Sequence, residues 1–315
     1  MAEKIATRAA YGEALAALAN EYPELVVLDA DLSGSTMSKK FAEVAPERFY
    51  NIGIAECNMA GIAAGMAACG KKPFINSFAM FSAGRAWEQV RNSIAYPALN
   101  VKVIGSHGGL SVGEDGATHQ CIEDYALMRA IPGMVVVSPC DGPEMRAAVK
   151  ALLEQDGPAY LRMCRLAVES VTDETPGYEF KLGKGATLKE GTDVTVVATG
   201  LMVQRAMKAA ELLAAEGVSV RVLDFHTIKP LDTELLAKAA KETGAIVTTE
   251  EHSVVGGLGS AVAEFVAENC PVPVVRHGVN DEFGRSGKAE EVLTAYGLTA
   301  EGIAEKIRLA VSLKK

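Results

Sequence analysis

Phe74-Ile-Asn-Ser-Phe78-Ala-Met-Phe81-Ser-Ala-Gly-Arg85-Ala-Trp87-Glu-Gln-Val-Arg-Asn-Ser-Ile-Ala95, followed shortly by Val101-Lys-Val-Ile-Gly105, decides the architecture of this chain. A short apolar run at Phe74–Asn76 gives way to a helical pattern over Ala83–Ala95, and then to a second apolar run at Val101–Gly105. Strand, helix and strand in that order make a βαβ unit, and the crossover helix returns the chain so that the two strands lie parallel. The alternation continues outward. On the amino-terminal side a strand at Leu25–Leu28 falls between helices at Thr7–Glu21 and Glu56–Cys69. On the other side strands at Met134–Ser138 and Ala159–Arg162 alternate with helices at Ile122–Arg129 and Pro143–Gln155.

From about Leu166 to Gly191 the pattern weakens and Thr, Asp, Glu, Pro, Gly and Lys become frequent, which marks a linker. A second unit follows, with strands at Val194–Thr199, Val218–Asp224, Ala245–Thr249 and Val272–Arg276. Between and after them come helices at Val203–Glu216, Thr233–Thr243, Ser260–Asn269 and Thr299–Leu313. The expected fold is α/β, with two domains that each hold a mostly parallel sheet flanked by helices. The boundaries read 1–168 for the first domain, 169–190 for the linker and 191–315 for the second.

Composition narrows the chemistry. A chain of 315 residues is comfortable for two cores. A net charge of −9 leaves no basic surplus to neutralise phosphate backbones, which argues against nucleic acid or anionic lipid as a general partner. Any anionic substrate must therefore meet a local basic pocket. Met1-Ala-Glu-Lys4 leads into an amphipathic stretch with no apolar h-region, so neither a signal peptide nor a membrane span is expected, and a cytoplasmic location is. The six cysteines lack metal-type spacing, and reduced thiols with no metal role are expected.

Two nucleotide-binding motifs are approached and missed. Gly65-Met-Ala-Ala-Cys-Gly70-Lys71 imitates a P-loop, but Lys72 stands where a hydroxyl must ligate magnesium, and these glycines end a helix instead of opening one. Gly257-Leu-Gly259 precedes a helix but lacks the third glycine. Both read as turn and packing chemistry.

Three polar clusters carry the functional signal. Gly53-Ile-Ala-Glu56-Cys-Asn-Met-Ala-Gly61 places an acid at the start of an apolar helix, where the macrodipole alone would favour it. Phe78 and Phe81 end a strand at its carboxyl edge, the side on which open α/β sheets bind ligands. His107-Gly-Gly-Leu-Ser-Val-Gly113-Glu-Asp115-Gly-Ala-Thr-His119-Gln120 sets two histidines and a carboxylate in a loop freed by four glycines.

In this order, together with Ala6-Thr-Arg8 and Phe283-Gly-Arg-Ser-Gly287, the clusters resemble the transketolase family over the whole chain. The resemblance implies a pyrimidine-binding domain followed by a transketolase C-terminal domain. Gly-Asp-Gly, which in that family marks the domain holding the cofactor diphosphate and its metal, is absent from the sequence. The chain thus looks like the second subunit of a split transketolase. Its expected partner is an N-terminal subunit that carries Gly-Asp-Gly and holds Mg2+ and the diphosphate of thiamine diphosphate, and the resemblance implies a dimer or a two-plus-two tetramer.

By the same resemblance Glu56 hydrogen-bonds N1′ of the aminopyrimidine and promotes the imino tautomer, Phe81 stacks on the ring, Phe78 walls the pocket and Asp31 lies near the cofactor. Asp115 would contact the hydroxyl next to the ketose carbonyl, and His119 and His107 the carbonyl-derived oxygen and the substrate chain or phosphate, while Arg8, Ser35 and Arg165 would hold the sugar phosphate. Two departures from the family pattern touch the pocket: Ala83 and Gly84 replace a third aromatic, and Cys57 follows the glutamate. Arg85 resembles the deoxyxylulose-phosphate synthase pattern, which keeps that synthase open as an alternative. A 2-oxo acid dehydrogenase beta-like subunit and a catalytically silent regulatory subunit are the others. Arg162 and the histidines 226, 252 and 277 read as structural.

Overall fold

The computed structural model describes residues 4–314. The βαβ unit at residues 74–105 forms the middle of a seven-stranded sheet. Its strand order is Thr227–Lys229, Val135–Val137, Ala159–Arg162, Lys102–Ser106, Lys72–Phe78, Leu25–Asp29 and Phe49–Asn51. Every neighbouring pair is parallel except the first. Leu25–Asp29 and Lys102–Ser106 are buried along their whole length, which is why they read as unbroken apolar runs. Successive residues still serve opposite faces. Val26, Leu28, Ile75 and Val103 pack with helix Glu56–Ala68, while Leu25, Val27, Phe74 and Ile104 pack with helices Thr7–Leu18 and Gly142–Glu154.

A second sheet has five strands in the order Val274–Val279, Ile246–Ser253, Val194–Ala198, Val220–Asp224 and Ala186–Lys189. Only the last is antiparallel to its neighbour. Helices Met202–Ala214 and Ala300–Ser312 cover one face. On the other face, Leu236 and Ala239 of helix Thr233–Thr243 and Leu258 and Val262 of helix Leu258–Asn269 share one apolar cluster with Met59 and Val103 of the first sheet's layer. The two α/β units are therefore joined through a continuous core.

The structure departs from the sequence reading mostly in short elements. Strands Lys4–Ala6 and Ala167–Glu169 pair antiparallel as a separate ribbon. Segment 169–190, expected to be a linker, contains the strand Ala186–Lys189. Phe49–Asn51 and Thr227–Lys229 are also strands. Three or four residues show too few alternations to reveal a period, so their neighbours, not their own pattern, make them strands. The helix expected at Ala83–Ala95 is π-helical at Met80–Arg85 and again at Val90–Ala95, with a short α turn between.

Where the two units meet, Cys140, Glu144 and Asp224 bring their side chains together, all fully buried. Glu144 accepts from the Cys140 backbone N–H at 2.6 Å and from the Tyr178 hydroxyl. Neither Asp224 oxygen has a hydrogen-bond partner among the described residues. Burial first, and then the charges of Glu144 and Asp141, push the Asp224 carboxyl well above the usual range. Protonation of Asp224 would ease its repulsion with Glu144. An acid whose pKa rises on folding stabilises most at low pH, and the protein loses that stability as pH climbs above the ordinary aspartate range. Asp224→Asn supplies an amide that needs no proton. It should stabilise the fold by about 1–3 kcal/mol more at pH 8 than at pH 5. Thermal melts at the two pH values check this, and an equal change at both would mean that folding leaves this carboxyl's pKa where it was.

Candidate active site

The site lies at the carboxyl edge of strands Lys72–Phe78 and Lys102–Ser106. Glu56 opens helix Glu56–Ala68 and is only 1% exposed. Its Oε1 accepts from the Ser77 hydroxyl at 3.0 Å, and its Oε2 from Arg85 Nη1 at 2.9 Å. An acid buried this deeply needs such partners, because a bare carboxylate away from water is costly. The Arg85 guanidinium also stacks over the Phe81 ring, its central carbon 4.6 Å from the ring centroid. A flat cationic group thus fills the space between an aromatic face and a buried carboxylate.

Around this pair the structure gathers most of the expected residues. Phe78 and Phe81 lie 6.2 Å apart, nearly parallel. The His107 ring is 4.2 Å from Phe78, and His119 meets Phe81 edge-on at 5.3 Å. His107 is buried, its Nδ1 2.7 Å from the Ser106 hydroxyl. Burial, and then the charges of Arg8 and Arg165, hold its pKa down to about 3, so the ring is neutral at any physiological pH and serves as a hydrogen-bonding group, not as a cation. His107 also has a left-handed backbone, φ +57°. Strain of this kind in a non-glycine residue concentrates at functional sites.

The arginines form a second group beside the first. Arg8, at the start of helix Thr7–Leu18, donates to the Ser35 carbonyl at 2.9 Å. Arg165 donates to the Val112 carbonyl and to Glu114, each at 2.8 Å. Burial and then Arg165 lower the pKa of Arg8, and the charges of both arginines help hold that of His107 down. Two positive charges near His107 are what an acidic chain would need locally to meet an anionic substrate. Asp31 and Asp115 are both exposed. Asp31 has a left-handed backbone, φ +63°, and accepts from Asn51 at 3.0 Å.

The glycine-rich loop is held from the second domain. Gln120 donates to the carbonyls of Leu110, Gly113 and Arg285, and the Glu251 carboxylate accepts from the Ser111 backbone. Gly109, at φ +82°, passes so close to Arg162 and Glu251 that no side chain fits there. Arg162 is buried, donates to Asp124 at 3.4 Å and to the Glu251 carbonyl at 2.7 Å, and stacks on Tyr125, in keeping with a structural part. His226, His252 and His277 are likewise buried in hydrogen bonds with their own surroundings. Sequence reasoning missed Ser77 and the pairing of Arg85 with Glu56. The only signals were a hydroxyl beside Phe78 at a strand end and a lone arginine one helical turn beyond Phe81.

Comparison with known proteins accounts for both units. The model of the transketolase pyrimidine binding domain matches residues 3–170, and that of the transketolase C-terminal domain matches 183–303. A putative transketolase C-terminal section of Methanocaldococcus jannaschii is 49% identical, over 95% of this chain and 94% of that protein. A 6-deoxy-6-sulfo-D-fructose transketolase subunit of a Clostridium species is 46% identical, over 94% of this chain and 91% of its own length. A solved structure described as a split gene transketolase, inactive beta4 tetramer, superposes with a TM-score of 0.92 at 52% identity, covering 99% of this chain and all of that one.

Proposed function

The chain belongs to the transketolase family, and we propose that it is the pyrimidine-binding subunit of a two-chain enzyme that moves a two-carbon ketol unit between sugar phosphates. The observation that carries this is a buried Glu56 and the face of Phe81 spanned by one flat guanidinium, with the His107 and His119 rings against Phe78 and Phe81. The residues fit the aminopyrimidine of thiamine diphosphate: the guanidinium now between Glu56 and Phe81 is itself a flat N–C–N group that donates to the carboxylate and stacks on the ring. When bound, that cofactor supplies a carbon nucleophile for the ketol carbonyl.

This chain's own residues would do the rest. Glu56, itself buried, would hold and exchange a proton at the pyrimidine nitrogen. His107, neutral, and His119 would hydrogen-bond the substrate's carbonyl-derived oxygen, with Asp115 reaching the neighbouring hydroxyl from the rim. Arg8 and Arg165, with Ser35, would fix the phosphate. Diphosphate and Mg2+ would belong to a partner chain that carries Gly-Asp-Gly, in a cytoplasmic two-plus-two assembly that Asp31 borders. The inactive tetramer formed by a similar chain supports a need for that partner.

A second reading concerns the anionic end of the donor. The sulfosugar relative favours a sulfonate in place of phosphate, which the same arginine pair would bind with one charge less. The assembled enzyme run on fructose 6-phosphate, 6-deoxy-6-sulfofructose and unphosphorylated hydroxypyruvate separates the cases. A charge-assisted contact contributes roughly 1.5–3 kcal/mol. Arg165→Ala should therefore weaken use of the preferred anionic donor by ~10–100-fold and leave hydroxypyruvate nearly untouched. Equal losses on all donors would place Arg165 in the scaffold and withdraw its assigned role.

A further inference from the structure

Arg85 takes up both interactions that the proposed pyrimidine site offers. Its Nη1 bonds Glu56 and its plane covers Phe81, so a ring cannot enter while it is there. The side chain is 48% exposed, against 1% for Glu56. The guanidinium end can leave for water, but the buried carboxylate cannot follow and needs another donor in its place, so Arg85 gives way only to a group that bonds Glu56 in turn. The backbone beneath is anchored separately, the Arg85 carbonyl accepting from the Cys57 thiol at 3.5 Å, so the guanidinium can swing without moving its helix. The π-helical turn that carries it, Met80–Arg85, is a form common at functional sites.

We propose that Arg85 is a displaceable stand-in for the aminopyrimidine: it fills the pyrimidine position in the cofactor-free chain, keeps the buried carboxylate paired, and must turn outward before the ring can bind. This rests on the reading of Glu56 and Phe81 as the pyrimidine site. The consequence is competition. A ligand with only the pyrimidine end, such as free thiamine, must evict the guanidinium unaided, whereas one held also by its diphosphate on a partner chain has that anchoring to draw on. The stand-in thereby tilts the subunit against partial ligands and couples occupancy to assembly.

The test uses the full chain and thiamine as the probe. The readout is the fluorescence of Trp87, the chain's one tryptophan, fixed two residues from Arg85 by a 3.0 Å bond to the Leu127 carbonyl. Arg85→Ala removes the competitor and should bind thiamine about 3–10-fold tighter, as expected for losing one half-exposed ion pair and its stacking. Arg85→Lys keeps the charge without the plane, and should shift affinity the same way by less, which serves if the alanine variant folds poorly. Phe81→Ala, run alongside, should weaken thiamine. Unchanged or weaker binding in both Arg85 variants, with Phe81→Ala weakened, overturns the stand-in and leaves the pyrimidine site in place. Thiamine binding indifferent to Phe81 as well overturns the site reading and the stand-in with it.

Discussion

Glu56→Gln should lower kcat of the assembled enzyme by at least ~10²–10⁴-fold, the range general acid–base catalysis supplies. The substitution preserves shape and burial. It also keeps a group that Ser77 can bond, so the fold has little reason to change. What it removes is the capacity to take and return a proton at the pyrimidine nitrogen. The direct measurement is proton–deuterium exchange at the cofactor's reactive C2 carbon in the assembled, cofactor-loaded enzyme, beside a thermal melt. Exchange as fast as in the parent would reduce Glu56 to a helix-start charge and remove the central element of the proposed mechanism.

Gly61→Leu is the second substitution expected to have a large effect, and it acts in opposite directions on the chain and on the assembly. Gly61 and Gly65 lie on an exposed face of helix Glu56–Ala68, and a Cβ at either position meets nothing within 4 Å. Ile54, just before the helix, is 76% exposed. The isolated chain can thus accept a leucine and should gain about 1 kcal/mol, because glycine is poor in a helix interior. A partner helix packed against that face could not accept it. If the cofactor is shared across this surface, the variant should melt higher alone, fail to assemble, and lose at least ~10²-fold in activity, since displacement of the reacting groups by about 1 Å is already that costly. Sedimentation with and without the partner gives the answer. An assembly of normal affinity and activity would place the subunit contact elsewhere.

How much of this was legible beforehand follows from the length of the signal. Leu25–Asp29, Lys102–Ser106 and Ala159–Arg162 announced themselves because strands buried on both faces must be apolar throughout. Helix Thr233–Thr243 could be read to the residue, since Asp232 caps it and Gly244 ends it in a left-handed turn. Thr227–Lys229 and Ala186–Lys189 could not be read, because a strand of three or four residues owes its state to the strand beside it. At the site, Glu56, Phe78, Phe81, His107 and His119 were named from local motifs, and the structure brings them together. The Arg85–Glu56 pair joins residues 29 positions apart on two different helical segments, and nothing in either local pattern encodes that meeting. The left-handed backbone at His107 was equally silent, since most histidines, though enriched there, still avoid positive φ.

Thr227–Lys229, contributed by the second unit to the open side of Val135–Val137, has a consequence for modularity. A gene can be divided at a boundary only if both products bury their own sheet edges. Ending this chain near residue 190 would strip that edge strand away and leave a row of unpaired backbone groups beside Val135-Val136-Val137, a template for pairing with other copies. Cut at that point, the first unit should therefore self-associate through the bared edge. Keeping Thr227–Lys229 and Val135–Val137 in one polypeptide keeps that edge covered.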